Sequence, residues 1–172
     1  MSRQHNHVLN HVAISVPDCD KAVEWYGKVF GFRRLSTRTE ANTKSICRGD
    51  RMTNRAETQD APIFKIYDSK LHKVKIAWLG TGNSVGFEVF EFIDPPNKPS
   101  SDFDYAKTGF FHIAVTEPDV EGAIKRVLEN GGEQLGETVS MGAEDQAAYV
   151  RDPWGNVVEL LSCSFEHLMA NK

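Results

Sequence analysis

The sequence predicts an α+β protein built from two tandem βαβββ modules, and three observations predict it. His11-Val12-Ala13-Ile14-Ser15-Val16-Pro17-Asp18 is echoed 101 positions later by His112-Ile113-Ala114-Val115-Thr116-Glu117-Pro118-Asp119, in step through Ala22/Ala123 and Val23/Ile124 to Gly31/Gly132. A fainter echo, at an offset of 71, sets Phe87-Glu88-Val89-Phe90 against Val158-Glu159-Leu160-Leu161. In both copies an alternating apolar pattern gives way to helical spacing and then returns. Each copy thus opens with a histidine strand and closes with a glutamate strand.

The first module is assigned to residues 8–93. Residues 9–16 alternate as a strand, with Val12, Ile14 and Val16 on one face and His11, Ala13 and Ser15 on the other. Pro17-Asp18 breaks it, and Asp18 or Asp20 can cap the next helix. That helix carries Ala22, Val23, Trp25, Tyr26, Val29 and Phe30 toward a sheet and ends at Gly31 in a left-handed cap. Residues 32–37 read as a strand, and 74–79 with 85–93 as a hairpin about Gly80-Thr81-Gly82-Asn83. This copy is 30 residues longer between its histidine and its glutamate than the second. The excess is placed mostly at 39–73, a polar flap that becomes strand-like at 63–67.

Residues 94–109, with Pro95, Pro96 and Pro99, read as a linker. The second module, 110–163, repeats the order: strand 110–116, helix 120–130 ending at Gly131-Gly132, strand 134–139, and a hairpin of 147–151 and 156–162 about Asp152-Pro153-Trp154-Gly155. Residues 164–172 form a C-terminal tail.

Composition bounds the function. The 172 residues are 40% hydrophobic and 26% charged, which suits a folded globular chain. A net charge of −4 without a basic cluster argues against nucleic acid or an anionic membrane as partner. No apolar run approaches the ~20 residues of a membrane span, and the first ten residues lack a signal peptide's apolar core. Cys19, Cys47 and Cys163 are too scattered for a disulfide scaffold. They read as inert thiols of a cytoplasmic protein.

His11 and His112 each share a strand face with small residues, which leaves space beside the imidazoles. Glu88 shares a side with Gly86, Phe90 and Phe92, and Glu159 with Val157 and Leu161. If the two sheets curl toward each other, all four side chains meet in one hollow. Two carboxylates so close would repel, and one would take up a proton unless positive charge lay between them. A divalent cation resolves the conflict. Nitrogen and oxygen donors without thiolate indicate Zn, Ni, Co, Fe or Mn. Glu91 competes with Glu88, and the register of the repeat favours Glu88. His5, His7, His72 and His167 have no repeat partner and read as solvated.

Residues 9–18, followed by Trp25-Tyr26 and Gly31-Phe32, resemble the start of a vicinal oxygen chelate (glyoxalase/bleomycin-resistance/dioxygenase) domain. Asp152-Pro153-Trp154-Gly155-Asn156-Val157-Val158-Glu159-Leu160 resembles its closing hairpin. The resemblance covers residues 8–163. It implies a cupped, mostly antiparallel sheet around one divalent metal, with His11, Glu88, His112 and Glu159 as ligands. It also implies a homodimer, in some members with the site shared between two chains.

The superfamily spans lyases, epimerases, dioxygenases, thiol transferases and drug binders, so the site is better defined than the reaction. The His/Glu/His/Glu set is most like glyoxalase I. It implies a lyase or isomerase acting on a carbon acid next to a carbonyl in a small, possibly aromatic substrate, through a metal-stabilised enolate. Glu159 or Glu88 would serve as catalytic base. Phe90, Phe92 and Phe110 are candidates for an apolar substrate surface, and Arg51, with Arg48 or Arg55, for an anionic group. Two alternatives are an iron(II) ring-cleaving dioxygenase using two histidines and one carboxylate, and a non-catalytic binding protein.

Overall fold

A computed structural model describes residues 7–35, 50–99, 103–142 and 144–170. The chain divides into two compact units, Met1–Lys98 and Pro99–Lys172. The first contains β1 (His11–Ser15), α1 (Cys19–Phe30), β2 (Arg33–Arg34), β3 (Asp50–Asn54), α2 (Ile63–Ile66), β4 (Lys73–Gly80) and β5 (Gly86–Asp94). The second contains β6 (Ile113–Thr116), α3 (Val120–Glu129), β7 (Glu133–Ser140), β8 (Gln146–Arg151), β9 (Val157–Leu161) and α4 (Phe165–Ala170). Each unit holds one mixed sheet, in the order β1-β5-β4-β2 with β3 also on β4, and β6-β9-β8-β7. The opening strand runs parallel to the closing strand in both, and the remaining pairs are antiparallel.

The helices form where the sequence supplies caps. The Asp18 carboxylate accepts from Lys21 N at 3.0 Å, and Gly31 closes α1 with φ 69°. In the second unit Asp119 accepts from Gly122 N at 3.0 Å and starts α3. The α1 stripe Ala22, Trp25, Tyr26 and Val29 is buried, and the Tyr26 ring lies 4.6 Å from that of Phe87. Phe87, Leu79 and Val89 are buried with it, each contributing roughly 1.5–3 kcal/mol. With α1 covering one face of the first sheet, the His11–Ala13–Ser15 side of β1 belongs to the other.

The long excess of the first copy is built differently from the expectation. Asp50–Asn54 is not flap but strand, paired along β4 from Ala77 to Lys73. The expected strand 32–37 is confined to Arg33–Arg34, and positions 36 and 37 lie outside the described residues. The stretch 63–67 is helical, not strand-like. Pro62 occupies its N-cap position, where a missing N–H costs nothing. Packing then overrides the β-propensity of Ile63 and Ile66, because Phe64, Ala61 and Leu71 form a core with Val74 and Ile76.

Two smaller differences concern the second unit. Its first strand starts at Ile113, not at 110. Its C-terminal segment is not a plain tail, since α4 docks Leu168 against Ala147 and Leu161.

An ionic knot ties α1 to the edge of the first sheet. Lys75 Nζ sits 2.6 Å from Asp20 Oδ2 and 3.3 Å from Asp50 Oδ2. Burial pulls the ammonium down, but the two carboxylates hold it above its ordinary value. The Lys75 hydrogen bond holds Asp20 below the usual carboxylate range. A depressed carboxylate contributes stability that is complete above its unfolded value of 3.8 and is lost as pH falls through the folded one. Asp20→Asn should therefore flatten the acid limb of stability below that pH, read as urea midpoints; an unchanged limb would mean the knot holds nothing.

Candidate metal centre

Each unit brings one histidine and one glutamate together by the same register. In the first, β1 lies parallel to β5 with Ala13 opposite Glu88 and His11 opposite Gly86. His11 and Glu88 are therefore diagonal neighbours on one face, and His11 Nε2 stands 3.5 Å from Glu88 Oε2. In the second, Ala114 is opposite Glu159, and His112 Nε2 stands 3.3 Å from Glu159 Oε2. Gly86 makes room for the first imidazole, because a Cβ there would lie 3.1 Å from His11 Cβ.

The geometry suits a divalent ion. Donors held about 2.1 Å from a cation at angles of 90–110° stand about 3.0–3.5 Å apart, which matches both pairs. The Asn10 amide oxygen lies 2.8 Å from His11 Nδ1. An amide oxygen only accepts, so Nδ1 is the donor in this contact, and Nε2, facing Glu88, is the nitrogen that would coordinate an ion. His112 Nδ1 is buried without a hydrogen-bond partner, so Nε2 is the ring atom available for coordination. Its ring is set edge-on to Phe111 at 4.6 Å and to Tyr149 at 5.3 Å.

Both glutamates are held by aromatic donors on the neighbouring strand. Trp78 is paired opposite Glu88, and its indole N–H donates to Glu88 Oε1 at 2.9 Å. Tyr149 is paired opposite Glu159 and hydrogen-bonds its carboxylate. Burial first, and the Glu159 charge second, push the Tyr149 phenol up. Neither aromatic was singled out from the sequence. The signal was available, because each stands ten residues before its glutamate and so extends the offset-71 repeat.

The turns fix these registers. Asp152 Oδ1 accepts from Trp154 N at 2.9 Å and Asn156 N at 2.8 Å, and Oδ2 accepts from the Asn156 amide at 2.7 Å. The motif noted as the closing hairpin is thus a self-bonded turn that sets Tyr149 against Glu159. In the first unit Asn83 Oδ1 accepts from Val85 N and the Thr81 hydroxyl.

The remaining candidates divide. Glu91 is no competitor for Glu88: its carboxylate accepts from Cys19 N at 2.9 Å, at the start of α1. Phe90 and Phe92 share the Glu88 side but pack against the α2 cluster, their rings 5.6 Å apart and stacked. Phe110 is fully exposed and precedes its strand, so the expected apolar wall does not include it within its own unit. Arg51 is exposed on β3, opposite Ile76 and on the Glu88 face. Arg55 is structural: it donates to the Leu71 and Asp68 carbonyls and lies 4.4 Å over the Phe64 ring. Arg48 and Cys47 lie outside the described residues. Cys19 is buried, its thiol pushed up to about 12 by desolvation, as suits an inert residue. His167 is not simply solvated, since it sits 3.7 Å from Asp145.

The profile of the glyoxalase/bleomycin resistance protein/dioxygenase superfamily matches residues 8–160. The chain belongs to that superfamily. It is 30% identical over 163 residues to a 2-epi-5-epi-valiolone epimerase of an Actinomyces species, across 90% of this chain and 78% of the relative. It is 27% identical to the lactoylglutathione lyase GLX1 of Arabidopsis thaliana, with 92% of this chain covering 45% of that protein. A glyoxalase family protein from Bacillus cereus has the same fold, with a TM-score of 0.70 at 17% identity over 94% of this chain and 97% of that one. No helix among the described residues is long and apolar enough to cross a membrane.

Trp78→Phe and Tyr149→Phe keep the ring and remove the donor. Each should lower the unfolding free energy by about 0.5–1.5 kcal/mol in urea titrations. A neutral result at both would show that the carboxylates are not held as described.

Proposed function

We propose that the protein is a divalent-metal-dependent isomerase or lyase acting on a carbon acid next to a carbonyl in a small molecule. The observation that carries this reading is the twofold histidine–glutamate pair, each with Nε2 and Oε2 at coordinating separation. His11, Glu88, His112 and Glu159 would hold the ion, the two pairs coming from one chain or from the two chains of a homodimer. When bound, the ion supplies positive charge for the negative charge that develops on the carbonyl oxygen, worth several kcal/mol.

The chain's own residues do the rest. A carboxylate takes the proton from the carbon next to the carbonyl and returns it to the same or the adjoining carbon. Glu159 and Glu88 are the two groups assigned to this step, and the hydrogen bonds from Tyr149 and Trp78 would keep each oriented while it changes protonation. Returning the proton to the opposite face of the same carbon is epimerisation, the chemistry named for the 30%-identical relative. Delivery to the adjoining carbon is the alternative outcome. Arg51 stands on the Glu88 face as the residue for an anionic substrate group.

Purified protein should contain at least one divalent ion per chain by elemental analysis and lose its activity with a chelator. Lactoylglutathione and 2-epi-5-epi-valiolone, the compounds of the two relatives' names, are the first substrates to screen. In deuterium oxide, turnover should place deuterium on the carbon next to the carbonyl. Glu159→Gln or Glu88→Gln should reduce kcat by about 10²–10⁴-fold, with metal retained. Full turnover in both variants would remove the glutamates from the chemistry.

A further inference from the structure

Three side chains that the proposed centre does not use meet at one end of the second sheet. Asp145 lies just before β8, Cys163 follows β9, and His167 is on α4, four residues after the cysteine. One ligand atom from each lies within 4.8 Å of the other two, and His167 Nε2 stands 3.7 Å from Asp145 Oδ2.

The fold positions each of them. Asp145 is fixed by its own carbonyl, which accepts from Met141 N at 2.8 Å. Its Oδ1 is 3.2 Å from the Ser162 hydroxyl, leaving Oδ2 toward His167. Cys163 borders the cluster of Ala147, Leu161 and Leu168, which seats α4 on the sheet. A helix of six residues has little stability of its own, so this seating is what carries His167 to Asp145.

We propose that Asp145, Cys163 and His167 form a second divalent-metal site of zinc type. Tetrahedral sulfur, nitrogen and oxygen ligands at ordinary zinc distances stand about 3.3–3.8 Å apart. The His167–Asp145 separation falls in that range, and the other pairs need close by no more than about 1.5 Å. Three protein ligands leave a fourth position for water. On binding, the Cys163 proton, now directed at Asp145, is released to solvent and the thiolate takes its place on the ion.

The site bears on the rest of the unit through α4. Ala147 pairs with Leu161, as Tyr149 does with Glu159 two residues along each strand. Alternation puts Ala147 and Leu161 on the Glu159 face, and Leu168 packs on both. A metal on Asp145, Cys163 and His167 therefore pins the C-terminal helix beside the row that carries Glu159.

The test is titration of the metal-stripped full chain with cobalt(II). The His/Glu centre has no sulfur ligand, so a thiolate-to-cobalt charge-transfer band reports this site alone. The band should be present in the wild type, in Cys47→Ser and in the His11→Ala/His112→Ala double variant. It should vanish in Cys163→Ser, and half-saturation should need at least tenfold more cobalt in His167→Ala, a change at an exposed position. Zinc should raise the melting temperature of the double variant but not of the same variant carrying Cys163→Ser. The proposal fails if the wild type shows no band, or if the band survives Cys163→Ser. It fails also if the His11→Ala/His112→Ala variant loses the band, which would leave only one centre.

Discussion

Parallel pairing of an opening strand against a closing strand is the constraint on which the site depends. Ala13 opposite Glu88 and Ala114 opposite Glu159 are the same register used twice. A slip of one residue would exchange the two faces of β1 or β6, sending the side chains of the glutamate side to the helix-covered face and the core side chains the other way. His11 would then exchange places with Val12, and an imidazole would enter the core while a valine faced Glu88. The register is protected on both sides. Val16, Phe87 and Val89 are buried on the helix side, and small residues, Ala13 and Gly86, accompany the histidine on the other.

The two copies differ where the fold allows additions. In the first, the excess residues contribute β3 to the sheet and place α2 over Val74, Ile76, Phe90 and Phe92. In the second, α4 takes a comparable position over Ala147 and Leu161. Both helices are short and lie on the faces that carry the glutamates. The duplicated scaffold thus keeps its polar row and varies the apolar surface next to it.

The aromatic donors show how a strand pair can specify a carboxylate. Glu88 and Glu159 are each about one-fifth exposed, enough burial that an unpartnered carboxylate would be costly. An indole N–H on one and a phenol on the other supply the partner from the adjacent strand. The donors differ in chemistry, since the indole only donates whereas the phenol both donates and accepts. Asn10 plays the same part for His11. The second copy has Phe111 at that position and orients its histidine by ring packing instead.

By itself the sequence determined the duplicated order of elements, the helix caps at Asp18 and Gly31, and a histidine and a glutamate for each copy. These are written in local periodicity and in repetition, which do not require knowing what lies across the sheet. It could not separate Glu88 from Glu91 by chemistry, because the choice rests on which face meets Cys19 at the start of α1. Nor could it place α2, whose β-branched residues are helical only because Phe64 and Leu71 bury against Val74 and Ile76. Trp78, Tyr149 and the Asp145–Cys163–His167 cluster were decided by tertiary structure for the same reason. Their partners stand 10, 18 or 22 positions away in the chain, and only strand register and the docking of α4 bring them within bonding distance.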